Sequence, residues 1–146
     1  MKILDKNNPL SLNKQLCFAL YATSRAFTKT YGKLLHDLGV TYPQYLSLLA
    51  LWESDGLTVQ ELAAKLEIEG ATATPLVQRL EKLGLVDRKR DTKDERRVHI
   101  LLTIKGKSLR KKALLVPPAL GCAVNISNQE ADAMIAQLNQ LRTSLK

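Results

Sequence analysis

Apolar residues recur along this chain mostly at helical spacing. Leu16, Leu20, Phe27, Leu34 and Leu38 lie on one face of a helix predicted from about Ser11 to His36. Leu38-Gly39 ends it, because glycine closes helices at their C-terminal side. Thr41-Tyr42-Pro43-Gln44 is a capping box with proline in the first turn, and it opens a second helix carrying Leu46, Leu48, Leu49, Leu51 and Trp52 as far as Asp55-Gly56. Thr58-Val59-Gln60-Glu61 opens a short helix through Leu66. After a break at Glu67 to Gly70, a longer helix holds Leu76, Val77, Leu80 and Leu83, closed by Gly84.

The period then changes. Leu85 to Lys89 and Val98 to Leu102 read as two strands, Val98, Ile100 and Leu102 alternating with His99 and Leu101. A charged hairpin, Arg90-Asp91-Thr92-Lys93-Asp94-Glu95-Arg96-Arg97, joins them. Helical spacing returns after Thr103 and runs to about Pro117. Ser127-Asn128-Gln129-Glu130 caps a last helix bearing Met134, Ile135, Leu138, Leu141 and Leu145. A short helix and a longer one across a tight break, then a two-stranded hairpin, predict a winged helix-turn-helix. The class is α+β, mainly helical.

At 146 residues the chain fits one domain, and at 45% hydrophobic and 25% charged it can bury an ordinary core. The net charge of +8 points to a polyanionic partner. The first residues carry no apolar signal core. The longest uncharged run, Ala113 to Gln129, is too short and too broken by Pro117, Pro118 and Gly121 to span a bilayer. The expectation is a cytoplasmic protein with no membrane partner. Cys17 and Cys122 show no metal spacing, and no metal or cofactor is expected. His36 and His99 read as ordinary surface or strand residues. The basic residues Lys105, Lys107, Arg110, Lys111 and Lys112 read as a solvated face or a phosphate contact.

The second helix of a helix-turn-helix enters the major groove. Here it begins at Gly70-Ala71-Thr72-Ala73-Thr74-Pro75, whose small and hydroxyl residues let the backbone approach phosphate, and the helix dipole favours an anion there. Gln78 and Arg79 follow on the same helix as candidates for base edges or phosphates. If Gly70 caps the helix, Pro75 costs it a hydrogen bond; if Thr72 does, it does not. The hairpin adds Arg88, Lys89, Arg90, Lys93, Arg96 and Arg97, and a basic ribbon of this kind suits the minor groove. By itself such a turn is equally a solvated one, since Asp87, Asp91, Asp94 and Glu95 offset much of its charge.

With those residues in place, the stretch from Thr58 to Gly106 resembles the DNA-binding domain of the MarR family. The carrying segments are Leu57-Thr58-Val59-Gln60-Glu61-Leu62-Ala63, Thr74-Pro75-Leu76-Val77-Gln78-Arg79-Leu80-Glu81, Gly84-Leu85-Val86, Asp94-Glu95-Arg96 and Leu102-Thr103-Ile104-Lys105-Gly106. The resemblance implies a homodimer on double-stranded operator DNA. Residues 10–40 and 104–146 then serve dimerisation, and 41–103 form the winged helix-turn-helix. It also implies that Asp94 orients the wing and that Arg96 enters the minor groove. The family often has Ser-Gly where this chain has Gly70-Ala71, so a side-chain phosphate contact is missing there.

Cys17 lies on the first helix with Tyr21 four residues on, and Tyr31, fourteen on, returns close to the same face. Tyr42 begins the next helix. Tyrosine hydroxyls gathered around one thiolate stabilise its charge. By spacing alone, a lone cysteine reads first as a small buried hydrophobe. Residues 10–56 and 113–124, however, resemble the organic hydroperoxide resistance regulators within the MarR family. Cys17 stands at their peroxidatic cysteine within Leu12-Asn13-Lys14-Gln15-Leu16-Cys17-Phe18-Ala19-Leu20-Tyr21. Tyr31 and Tyr42 stand at their cysteine-bonding tyrosines, and Tyr21 at a further one found in some members. Val116-Pro117-Pro118-Ala119-Leu120-Gly121-Cys122-Ala123 resembles the segment carrying the resolving cysteine of the two-cysteine subgroup.

The resemblance implies a non-enzymatic repressor. An organic hydroperoxide oxidises Cys17 to a sulfenic acid, Cys122 of the partner subunit closes a disulfide, and the operator is released. The alternatives are a MarR-type regulator released by a reversible small ligand or by another oxidant such as hypochlorite, a thiol peroxidase, and a basic architectural DNA-binding protein. Against the peroxidase stands the absence of a thioredoxin-like βαβ pattern or Cys-x-x-Cys motif.

Overall fold

The computed structural model describes residues 8–145. Among these residues seven α-helices and one β-hairpin run in the order α1 Leu16–Leu34, α2 Tyr42–Glu53, α3 Val59–Leu66, α4 Gly70–Lys82, β1 Val86–Arg90, β2 Val98–Leu102, α5 Ile104–Ala113, α6 Val116–Val124 and α7 Asn128–Ser144. Single 3-10 turns at Leu12–Lys14 and His36–Leu38 flank α1.

The polar caps act where the sequence places them. Gln44 Oε1 accepts the Thr41 amide ahead of α2 at 2.9 Å. Thr58 and Glu61 bond reciprocally at the start of α3, and Ser127 and Glu130 do so at α7. Gly39 closes the segment after α1 with φ of 68°, a left-handed value glycine adopts without steric cost.

The core lies under the DNA-binding half. Leu35, Leu48, Leu51, Leu62, Val77, Leu80, Val86 and Ile100 are fully buried or nearly so and form one cluster. Each such side chain contributes roughly 1.5–3 kcal/mol by leaving water. β1 and β2 pair antiparallel, Val86 opposite Leu102 and Arg90 opposite Val98. The α2–α3 link adds a third short rung beside β2: Ile100 N–H donates to the Leu57 carbonyl, Gly56 N–H donates to the Ile100 carbonyl, and Thr58 bridges His99. Gly106 lets α5 dock, because a Cβ there would overlap the Leu85 carbonyl oxygen. Its own carbonyl accepts Trp52 Nε1–H at 3.0 Å.

Several boundaries differ from the sequence expectation. The first helix divides into α1 and its two flanking turns. The helix after Thr103 stops at Ala113, and a separate α6 follows. The Pro117-Pro118 pair, read as a break, lies in the first turn of α6, where the amides have no intrahelical partner to lose. Helix α4 takes Glu69 as its cap and Gly70 as its first residue, so Pro75 lies inside it and leaves the Ala71 carbonyl without its helical donor.

No residue of α1 or α7 is fully buried. Leu12, Leu16 and Tyr21 at the start of the chain, Leu114 and Leu115 at the α5–α6 junction, and Met134, Ile135 and Leu138 on α7 are all exposed. Among the described residues no helix is long and apolar enough to cross a membrane.

Candidate nucleic-acid interface and thiol site

Helix α4 presents two faces. Ala73, Leu76, Val77 and Leu80 are buried against the core, while Gly70, Ala71, Thr72, Thr74, Pro75, Gln78 and Arg79 are exposed. The polar residues singled out by sequence therefore share the outward face, as the 3.6-residue period requires. Thr74 Oγ1 donates to the Gly70 carbonyl and closes the first turn.

A cleft of about 290 Å³ separates this helix from the hairpin. Gly70 and Thr74 line it from α4, Thr58 and Gln60 from the start of α3, and Arg88, Arg96 and Arg97 from the hairpin. Three guanidiniums facing two helix N-termini make a pocket for anionic oxygens. The arginines are held differently. Arg88 Nε donates to Glu81 at 2.8 Å, and Arg97 lies 3.5 Å from Glu61. Arg96 and Arg90 are exposed, and their guanidiniums have no ion-pair partner among the described residues. The Glu61 carboxyl is held below its ordinary pKa, first by the Thr58 amide.

The turn carrying Arg96 is built by two aspartates. Asp94 Oδ1 accepts the Arg96 amide and its carbonyl accepts the Arg97 amide. Asp91 Oδ1 accepts the Lys93 and Asp94 amides, and Oδ2 meets His99 Nε2 at 2.8 Å. His99, expected as an ordinary strand residue, is thus a bridge, because its other nitrogen meets the Gly56 carbonyl at 2.9 Å. The basic face of α5 is partly engaged within the chain as well: Lys105 donates to the Leu83 carbonyl and Lys107 lies 3.6 Å from Asp55.

Cys17 is the second residue of α1 and is exposed, not the buried hydrophobe its spacing alone suggests; Cys122, on α6, is exposed too. The tyrosines do not encircle Cys17 within one chain. Tyr31 stacks on Tyr42 at 4.3 Å between ring centroids and tilts against Tyr45 at 5.8 Å, near the far end of α1. Fourteen residues of helix put that cluster about 21 Å from Cys17 along the axis. Tyr21 instead accepts a hydrogen bond from Arg25, whose guanidinium also sits over the ring at 5.6 Å. Burial, with Tyr42 and Tyr45 beside it, pushes the Tyr31 pKa up to about 12, and burial also raises Tyr42 and Tyr45. All three stay protonated donors at neutral pH.

Sequence reasoning missed Tyr45, Thr58, Gln60, Asp91 and His99 as parts of these sites. Tyr45 was detectable as the residue one helical turn after Tyr42. The Asp91–His99 contact was not, because it depends on the hairpin's register.

Known proteins resemble the chain over most of its length. Residues 29–113 match the family described as transcriptional regulator SarA/Rot. The chain is 44% identical, over 99% of its own length and 74% of the relative's, to the HTH-type transcriptional regulator TtmR of Methylorubrum extorquens. It is 43% identical, over 97% and 91%, to the organic hydroperoxide resistance transcriptional regulator of Bacillus subtilis. Among solved structures it is similar to reduced AbfR bound to DNA, with a TM-score of 0.79, 34% identity and coverage of 92% and 94%. The disulfide-formed structure of AbfR, a protein solved from Staphylococcus epidermidis, gives 0.67 at 34% identity, over 89% and 91%.

Proposed function

The chain belongs to the MarR- and SarA/Rot-type family of winged-helix transcriptional regulators, and from that premise we propose that it is a homodimeric repressor, not an enzyme, released from its operator when an organic hydroperoxide oxidises Cys17. DNA enters as the recognised partner, α4 in the major groove and Arg96 of the wing in the minor groove. The observation that carries the redox reading is the exposure of both cysteines on helices that leave apolar surface unpartnered, away from the arginine cleft.

The exposed apolar residues of α1, α7 and the α5–α6 junction favour a second copy as their cover, in line with dimerisation by residues 10–40 and 104–146. Within one chain Cys17 lies far from Tyr31 and Tyr42, so the donors that stabilise its thiolate come from the partner subunit. The Cys17 thiolate attacks the peroxide O–O bond. Sulfur gains one oxygen, and the alkoxide leaves and takes a proton to become the alcohol. The sulfenic acid then condenses with the Cys122 thiol of the partner subunit, losing water and forming a disulfide. Linking the subunits changes the spacing of the two α4 helices, which DNA holds about 34 Å apart. Cellular thiols reduce the disulfide and restore the repressor. The likeness to DNA-bound structures of a relative, reduced at a TM-score of 0.79 and overoxidised at 0.78, exceeds that to its disulfide form at 0.67, which supports this structure as the DNA-competent fold and the disulfide, not oxygenation of sulfur alone, as the releasing step.

The test is binding to the promoter of the neighbouring gene with and without cumene hydroperoxide, for wild type, Cys17→Ser and Cys122→Ser. Release by wild type that thiol reverses, and none by Cys17→Ser, supports the reading. Equal release by Cys17→Ser overturns it.

A second reading has its own observation. A cleft of about 230 Å³ lies between α2 and α5, lined by Tyr45, Leu49 and Trp52 together with one carboxylate, Glu53, and one guanidinium, Arg110. It fits a small aromatic acid acting as a reversible inducer, which would release Cys17→Ser and wild type alike. Hypochlorite, acting on the same thiolate, is separated from hydroperoxide by dose response.

A further inference from the structure

The wing is fastened to the body of the protein by a histidine. His99 stands in β2 opposite Lys89, and its ring lies between two loops. Nδ1 is 2.9 Å from the Gly56 carbonyl oxygen in the α2–α3 link, and Nε2 is 2.8 Å from Oδ2 of Asp91 at the mouth of the wing turn. A carbonyl and a carboxylate only accept hydrogen bonds. A neutral imidazole has one N–H and satisfies one of them; the imidazolium has two and satisfies both. Asp91 passes the constraint on, since its other oxygen accepts the Lys93 and Asp94 amides and its own amide donates to the Arg97 carbonyl. The turn that projects Arg96 and Arg97 is therefore tied through His99 to the start of α3.

We propose that protonated His99 is a positioning residue that locks the wing to the α2–α3 link, so that operator affinity falls when the imidazolium loses its proton. This rests on the assignment of the wing to DNA made above.

The charged groups facing the ring come from each element around it. Asp91 and Arg97 belong to the wing, and Glu61 comes from α3. In the α2–α3 link the Asp55 carboxylate next to Gly56 is engaged by the Leu102 amide and Lys107. Asp91 first and the Gly56 carbonyl second raise His99 above its ordinary pKa of 6.5, against partial desolvation and Arg97. His99 in turn is the first cause that draws the Asp91 carboxyl down to about 2. The raised histidine makes its contribution complete below the free imidazole's pKa and lost as pH climbs through the higher bound value. The depressed aspartate makes its contribution present above the free carboxyl's pKa and lost as pH falls towards about 2. The lock holds from mildly acidic pH to the bound histidine's pKa and opens on the alkaline side.

The experiment uses the reduced full-length protein and a fluorescein-labelled duplex carrying the promoter of its own gene. Anisotropy gives the Kd at fixed salt from about pH 6 to about pH 9, a span that brackets imidazole titration. Wild type is expected to weaken about tenfold across it, the value of a hydrogen bond to a charged group. His99→Gln binds weakly throughout, with a flat profile. Asp91→Asn moves the midpoint to lower pH, because the imidazolium has lost its main partner. A histidine with a purely structural role would weaken His99→Gln but leave the midpoint of Asp91→Asn unmoved, and that outcome overturns the proposal. Imidazole ¹⁵N shifts of the DNA-free protein follow His99 directly, with His36 the only other histidine to assign. A His99 midpoint at or below 6.5 in wild type overturns the proposal whatever the binding data show. If Arg96→Ala binds as wild type does, the assignment of the wing to DNA fails, and the proposal falls with it even where the ¹⁵N midpoint upholds the His99–Asp91 pair.

Discussion

Arg142, near the end of α7, donates through Nη1 to Oε2 of Glu67 at 2.7 Å, and Glu67 is the residue that turns α3 into α4. The last helix, which buries none of its own residues, thus touches the helix-turn-helix at its tightest point. Glu67 holds φ of 53°, a left-handed value that costs a residue with a Cβ about 1 kcal/mol.

That geometry sets two contributions against each other. Both partners are well exposed, so the ion pair itself is worth less than about 1 kcal/mol and Arg142→Ala costs no more than that. Glu67→Ala loses the pair and keeps the strain, whereas Glu67→Gly loses the pair and relieves it. In urea melts Glu67→Gly should exceed Glu67→Ala by about 1 kcal/mol. Equal stability of the two variants would show that the turn is not strained.

Gly106 leaves no room for a side chain at the base of the wing. A methyl group there meets backbone, the Leu85 carbonyl, and α5 cannot move away without breaking the Trp52 bond to the Gly106 carbonyl. Gly106→Ala is expected to cost about 3 kcal/mol in chemical denaturation, the upper range for overpacking. A loss below about 0.5 kcal/mol would mean that α5 docks differently.

Removing a guanidinium that displaces counterions as it enters the minor groove reduces the salt dependence of binding by about one unit of slope. Arg96→Ala should do so on operator and unrelated DNA alike, while leaving the melting temperature unchanged, since its side chain pairs with no group among the described residues. An unchanged slope removes Arg96 from the interface.

The tyrosine cluster yields a kinetic prediction. If Tyr31 donates to the Cys17 thiolate across the dimer, Tyr31→Phe slows the reaction of Cys17 with hydroperoxide about tenfold, the effect of losing one bond to a charged group. The reduced variant should still bind DNA normally. Stopped-flow thiol loss reads the rate, and a wild-type rate would leave the cluster a packing feature only.

Much of this protein is legible in the chain itself. Thr58 with Glu61 and Ser127 with Glu130 mark helix starts, because those side chains satisfy amides within three residues of themselves. The outward face of α4, from Ala71 to Arg79, follows from helical period alone. The two strands appear within one residue of their predicted limits. Such features depend on neighbours along the chain.

The remainder needed the tertiary structure. Proline reads as a breaker in any linear pattern, and only the start of α6 at Val116 shows Pro117 and Pro118 where no hydrogen bond is lost. Pro75 is the converse case, placed inside α4 by a cap at Glu69 that no capping residue announces. Cys17 and Tyr31 share a face by angle, but length along the helix axis separates them, and Tyr31 turns to Tyr42 and Tyr45 instead. His99 gained its role only when hairpin pairing and the α2–α3 link brought Asp91 and Gly56 to opposite sides of one ring. Sequence period fixes the direction of a side chain; the meeting of residues remote in sequence is fixed by packing of the whole chain.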